Sequence, residues 1–281
     1  NPGQMIAARK DAPLLIGYGE DGNYIASDVT ALLAHTRTVT YMEDDEVAVI
    51  TGDSVQIFDR DRFQLEKEKH EIEWDVSAAE KGGYAHFMLK EIMEQPEAVR
   101  KTISPRLADG EIVLEELRDA KELMKNISRI YIVACGSAYH VGMVGKYALE
   151  KMMHIPVEAC LASEFRYSEP ILGESSLVII ISQSGETLDS MAALREAKRR
   201  GSKVLSIVNV MGSSIARESD YVLYTWAGPE IAVATTKAYT TQMVLLFMLG
   251  VFLAKKSGRL NREEYAAMIS EIQSLPEKIS M

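Results

Sequence analysis

The segment Ser182-Gln183-Ser184-Gly185-Glu186-Thr187 concentrates three hydroxyls, an amide and a glycine in six residues, with no lysine or arginine among them. It follows five consecutive aliphatic residues, Leu177 to Ile181. That pattern suits a small anion. Where such a segment closes a buried strand and opens a helix, the first-turn N–H groups have no internal partners and the helix dipole makes that end positive. A phosphate can sit there without a cationic side chain. Ser182, Ser184 and Thr187 offer hydroxyl donors and Gln183 an amide. Gly185 lets the backbone approach closely or turn with positive φ. Each hydrogen bond to a charged oxygen contributes about 1.5–3 kcal/mol. A single serine or threonine that caps the helix would explain one hydroxyl, but not the density of the set. Glu186, in the first helical turn, reads as a dipole partner rather than an acid–base group.

Other reactive residues carry weaker signals. Ser137 follows the strand-like "RIYIVACG" and fits two roles, partner of a sugar hydroxyl or helix N-cap, which the sequence does not separate. Cys135 and Cys160 lie in apolar strands and are expected to be free and non-catalytic. His140, in a first helical turn, reads as structural. Lys237, early in a long helix, reads as a solvated or paired charge. The histidines at 35, 70, 86, 140 and 154 show no metal-ligand spacing, so no metal is assigned. "GYGEDG" fits G-x-G-x-x-G through Gly17, Gly19 and Gly22, but the strand-like "NYIASD" follows it, so a hairpin turn is expected. A phosphate-binding nucleotide loop is absent, because Gly145-Lys146 is followed by Tyr147.

The elements that position these residues follow from periodicity. Residues 1–75 read as β-rich: "PLLIGYG", "NYIASD", "TVTYMEDDEVAVI" and "SVQIFD" are strand-like runs between turn residues. His86 to Ile103 suits an amphipathic helix with apolar residues at 87, 88, 89, 92 and 93, kinked or split at Pro96. "EIVLEELRDAKELMKNI" reads as a second helix. Beyond Ser128, strands apolar on both faces alternate with helices, ending in "TTKAYTTQMVLLFMLGVFLAKKSG". Five such strands predict an α/β, flavodoxin-like, doubly wound parallel sheet, whose ligands bind beyond the strands' carboxyl ends.

The balance of 41 carboxylates against 31 lysines and arginines, a net charge of −10, leaves no broad basic face and argues against nucleic acid as a partner. The longest apolar run, Met243 to Ala254, falls short of the roughly 20 residues of a membrane span and reads as a buried helix. Two cysteines and no signal peptide suit a reduced, cytoplasmic protein. The chain opens on Asn1-Pro2 and closes on "LPEKISM" without an obvious terminal element, so both ends read as cut from a longer protein.

Four segments, "CGSAYHVGMVGK", "ASEFRYSEP", "SQSGET" and "PEIAVATTKAYTTQ", resemble the first sugar-isomerase (SIS) domain of the isomerizing glutamine:fructose-6-phosphate aminotransferase family. Upstream, "IAARKDAPLLIGYG" and "YMEDDEVAVI" resemble the end of that family's N-terminal-nucleophile glutaminase domain, and "EKGGYAHFMLKEIMEQP" its connector. The resemblance implies three parts: glutaminase remnant 1–75, connector helix 76–110 and first SIS domain 111–281. It implies fructose 6-phosphate or glucosamine 6-phosphate as ligand, glutamine in the full-length enzyme, a homodimer, and no metal or organic cofactor. Carried over by position, Ser182, Gln183, Ser184 and Thr187 hold the phosphate, and Ser137 and Val233 touch the sugar. The family often writes Cys-Gly-Thr-Ser where this chain has Cys135-Gly136-Ser137-Ala138, so one hydroxyl is lost at Ala138. The glutaminase cysteine is expected before Asn1 and the second SIS domain, with the isomerising base, after Met281. The chain alone is therefore expected to be inactive. The alternative is a non-catalytic, SIS-type sugar-phosphate-binding regulatory module, although no basic recognition helix accompanies it.

Overall fold

Alternating apolar and polar residues build the first of two compact units, Asn1–Ala85, from short antiparallel strands. The structure is a computed structural model that describes residues 3–72, 81–118 and 126–281. In chain order the strands are β1 (Met5–Ala8), β2 (Leu15–Tyr18), β3 (Asn23–Ala26), β4 (Thr38–Tyr41), β5 (Val47–Ile50), β6 (Val55–Phe58), β7 (Gln64–Leu65) and β8 (His70–Glu71). They form two four-stranded sheets, ordered β1-β5-β6-β7 and β3-β2-β4-β8. Ala7, Ala48 and Ile57 of one sheet and Ile16 of the other share one core, while Leu15 and Val39 face a second cluster with Leu32 and Leu33. Tyr18 pairs with Asn23, and the Gly19 N–H donates to the Gly22 carbonyl at 2.9 Å, so the glycine-rich "GYGEDG" is the expected hairpin turn. The single run expected over "TVTYMEDDEVAVI" divides: β4 and β5 belong to different sheets, separated by the acidic turn at Asp44-Asp45.

The second unit, His86–Met281, opens with α1 (Phe87–Met93) and α2 (Gln95–Ile103), split where Pro96 enters the first turn of α2. The face expected to be buried on α1 is inverted. Met88, Leu89, Ile92 and Met93 are exposed, whereas Lys90 and Glu91 are buried. The helix expected from Glu111 is also corrected. β9 (Leu107–Ala108) and β10 (Glu111–Ile112) form a two-residue hairpin, and a 3-10 turn follows at Glu115–Leu117. Asp109 and Gly110 both take positive φ, the turn that an Asp-Gly pair favours. Residues 119–125 of that expected helix lie outside the described residues, as does the expected boundary at 75/76.

The remaining elements are β11 (Arg129–Ala134), α3 (Gly136–Met153), β12 (Val157–Leu161), α4 (Ala162–Phe165), β13 (Ser176–Ser182), α5 (Leu188–Arg199), β14 (Lys203–Val208), α6 (Ser214–Glu218), β15 (Tyr221–Tyr224), α7 (Lys237–Lys256) and α8 (Arg262–Ser280). The five strands are all parallel in the order β12-β11-β13-β14-β15. Ile130, Ile132, Ile179, Ile181 and Ile207 pack with α3, α7 and α8 on one face. Val133, Val178, Ile180 and Val204 pack with α4, α5 and α6 on the other. β13 is buried along its whole length, and the winding reverses between β11 and β13.

Two findings concern the end of the chain. α7 is long and apolar enough to cross a membrane, but 78% of its most apolar window is buried inside the fold, so here it is a core helix, as expected. α8 corrects the expectation of no terminal element. Asn261 accepts from the Glu264 N–H at 2.9 Å while the Asn261 N–H donates to the Glu264 carboxylate at 3.0 Å, a capping box that starts the helix.

α3 and α7 touch through glycines. A methyl on Gly145 would overlap Leu246, and one on Gly250 would lie 2.8 Å from Leu149 Cδ2. Gly145 meets Leu246 and Leu149 meets Gly250, so the two helices run in the same direction and both begin at the carboxyl end of the sheet. We predict that Gly145→Leu, which overfills this contact, lowers the unfolding free energy by about 1–3 kcal/mol in urea titration. Gly52→Ala, with open space around it, should stay within about 0.5 kcal/mol of wild type.

Candidate functional site

Besides the four-residue α4, which directly follows β12, four helices start at the carboxyl rim of the sheet, and each presents first-turn N–H groups. Two are filled by the chain's own carboxylates. Glu186 accepts from the Ser214 N–H at 2.8 Å, filling the start of α6. Glu230 accepts from the N–H groups of Thr236 (2.8 Å) and Ala238 (3.1 Å), filling the start of α7. The other two, α3 and α5, have no side-chain cap. They follow β11 and β13, the strands between which the winding reverses. At the reversal the rim therefore leaves two helix N-termini with no side-chain cap, side by side, at the position where an α/β sheet binds its ligand, and Asp189 is the one acidic residue in the first turn of α5.

The "SQSGET" turn is shaped from within. Ser182, only 4% exposed, ends β13; its hydroxyl accepts from the Gly185 N–H at 3.0 Å and shares a hydrogen bond with Thr187 Oγ1 at 3.2 Å. Thr187 is the N-cap residue of α5, but its side chain makes no cap bond there. Ser184 Oγ accepts from the Glu186 N–H at 3.2 Å, and the Gln183 carbonyl accepts from the Asn209 N–H at 3.1 Å. Gly185 has φ of +68, and a Cβ there would overlap Ser213 Oγ and lie 2.6 Å from Ser213 Cβ. Only glycine meets both conditions. The role expected for Glu186 is corrected in one respect: it partners a helix N-terminus, but that of α6 rather than its own helix.

Ser137 lies in the first turn of α3, exposed, and does not cap it; Cys135 holds the N-cap position. Ala138 packs partly buried against the core, where the methyl it carries is accommodated. Val233 is fully exposed in segment 228–236 of the loop that joins β15 to α7. Ser137 and the turn thus share the reversal point, with Val233 on a third segment of the same rim. Cys135 and Cys160 are both free thiols. Burial first, then the nearby Glu158, pushes the Cys160 thiol up to about 11, which keeps it protonated and unreactive at neutral pH.

Under the third segment lies a charge cluster that sequence reasoning missed. Glu91 of α1, 2% exposed, accepts through Oε1 from the N–H groups of Ile231 (2.6 Å) and Ala232 (3.2 Å). Lys237, 3% exposed, donates to Glu94 at 2.6 Å, and Lys90 stands 3.6 Å from the same carboxylate. Lys237 is therefore a paired charge, as one of its two expected roles allowed, and a buried one. Burial raises the Glu91 carboxyl above the ordinary range; the two amides oppose that shift, as does Lys237, while Glu230 adds to it. The only available signal was "KEIMEQ", a charged triplet inside an apolar helix pattern.

Residues 123–251 of this fold, with its open helix ends at the reversal, match the SIS domain family. Along its length the chain is similar to the isomerizing glutamine–fructose-6-phosphate aminotransferases. That of Clostridium acetobutylicum is 53% identical over 278 residues, 99% of this chain and 46% of the relative. That of Caldanaerobacter subterraneus is 52% identical over 280 residues, with the same coverage. Among solved structures, the C-terminal domain of glucosamine-fructose-6-phosphate aminotransferase from Francisella tularensis superposes with a TM-score of 0.68 at 44% identity, over 70% of this chain and 56% of that one. The resemblance carried by the sequence motifs is thereby shown. The chain spans about half the length of the relatives it matches.

Gly185→Ala should lower stability by at least about 1 kcal/mol, since an alanine is strained at positive φ. Adding Ser213→Gly should recover only part of the loss, because it removes the overlap and leaves the φ strain. Urea midpoints of the three proteins test this; a Gly185→Ala protein as stable as wild type would contradict the geometry.

Proposed function

We propose that this chain is part of an isomerizing glutamine:fructose-6-phosphate aminotransferase, and that its second unit holds the phosphate of fructose 6-phosphate or glucosamine 6-phosphate. The observation that carries the reading is the pair of helix N-termini without a side-chain cap at the winding reversal, one opened by "SQSGET". The names of the relatives supply the substrate class.

In this reading the phosphate sits at the start of α5. Backbone N–H groups of the turn and the hydroxyls of Ser184 and Thr187 donate to its oxygens, and the Gln183 amide reaches over it. Ser182 acts chiefly as a brace, because its hydroxyl already holds Gly185 and Thr187. Ser137 and the Val233 loop face the sugar. The positive ends of α3 and α5 balance the dianion without a lysine or arginine in the turn. Residues 1–75 are read as the end of a glutaminase domain, on the support of their two antiparallel sheets and the matching motifs. Residues 76–110 are read as connector and 111–281 as the first SIS domain. In the full enzyme, ammonia released from glutamine would condense with the ketone of the bound sugar, and isomerisation would give glucosamine 6-phosphate and glutamate. A homodimer and a cytoplasmic location belong to the same reading.

Calorimetric titration with fructose 6-phosphate tests the site. Thr187→Val should weaken binding about 10-fold or more, as expected for a lost bond to a charged group, and Ser182→Ala should weaken it as well, by releasing Gly185 and Thr187 from their braced positions. Unphosphorylated fructose should bind poorly to all three proteins. Equal affinity for fructose and its phosphate would overturn the reading.

A further inference from the structure

We propose that Glu91 is a positioning residue of the sugar site: from α1 it fixes the loop of residues 228–236 so that Val233 faces the sugar. The inference rests on the proposed function and adds to it a residue outside the rim motifs.

Three buried side chains staple this loop. At its start, Asn209, 3% exposed, donates to the Gly228 carbonyl at 2.7 Å and accepts from the Ala227 N–H at 2.9 Å. At its end, Glu230 binds the N–H groups of Thr236 and Ala238. Between them, Glu91 takes the N–H groups of Ile231 and Ala232, directly before the fully exposed Val233. Asn209 and Glu230 come from the loop's own neighbourhood in sequence. Glu91 comes from 140 residues upstream, so it is the staple that ties the loop to a different element.

A buried carboxylate is costly unless it is well paired. Glu91 Oε2 has no hydrogen-bond partner although it is buried, so the side chain is imperfectly satisfied where it stands. A leucine or methionine would suit a site whose only task was packing. What the carboxyl supplies is one oxygen that accepts from two successive amides, which no apolar side chain can do. Lys237 and Lys90 offset the charge that Glu91, Glu94 and Glu230 bring to the cluster.

The loop and the "SQSGET" turn are separate segments, so the inference separates sugar from phosphate. Binding of fructose 6-phosphate and of inorganic phosphate is measured for wild type, Glu91→Ala, Glu91→Asp and Glu91→Gln, with thermal melting of each. Glu91→Ala should lose at least about 10-fold in affinity for fructose 6-phosphate while inorganic phosphate binds within about 2-fold of wild type. Glu91→Asp, too short to reach both amides, should follow it, and it decides the matter if the alanine variant does not fold. Glu91→Gln keeps an acceptor oxygen and should restore sugar-phosphate affinity to within about 3-fold. Unchanged affinity in the shortened variants, or an equal loss of both ligands, would overturn the positioning role. A wild type that holds fructose 6-phosphate no better than inorganic phosphate would instead overturn the sugar site itself, and the inference with it.

Discussion

The architecture of the second unit depends on the burial of β13 on both faces. A strand with helices packed on each side has no surface on which to carry polar chemistry. Its only outlet is its carboxyl end, and there the chain must reverse into a helix within a few residues. That turn exposes a row of N–H groups, which have to be satisfied by the protein or by a ligand. At α6 and α7 the protein satisfies them itself, through Glu186 and Glu230. At α3 and α5 it does not use a side chain. The distribution of two carboxylates thus sets where an external anion is favoured, and the acidic net charge of the chain is no obstacle to it.

The parallel sheet was legible because its strands are strong signals: apolar on both faces, evenly spaced and separated by helices long enough to cross over. "SQSGET" was legible because hydroxyls crowd directly after such a strand. Misreadings arose where a weaker local signal competed with periodicity. The Asp109-Gly110 turn makes a hairpin inside a stretch whose acidic and apolar residues suggest helix. The Asn261/Glu264 capping box starts α8 beyond the apolar run that had seemed to close the fold. Both signals were present in sequence, but each rests on two residues against a pattern of a dozen or more.

The inversion of α1 has a different origin. Periodicity places apolar side chains inward, and on this helix Lys90 and Glu91 go inward instead. Burial of Glu91 depends on partners at positions 231, 232 and 237, remote in the chain. Glu186 is the same case on a smaller scale, since its partner at Ser214 lies beyond the next strand. A single sequence shows the charge but not the distant amide that receives it. What remained illegible was therefore the scaffolding of the rim, while its hydroxyl-bearing turn could be read directly.

The central claim is that the uncapped start of α5 holds the phosphate. A crystal structure of the chain grown with fructose 6-phosphate tests it most directly. The phosphate oxygens should lie about 2.7–3.1 Å from backbone nitrogens of the Ser184–Leu188 turn and from the hydroxyls of Ser184 and Thr187. Phosphate density elsewhere on the unit, with that turn empty, would contradict the account.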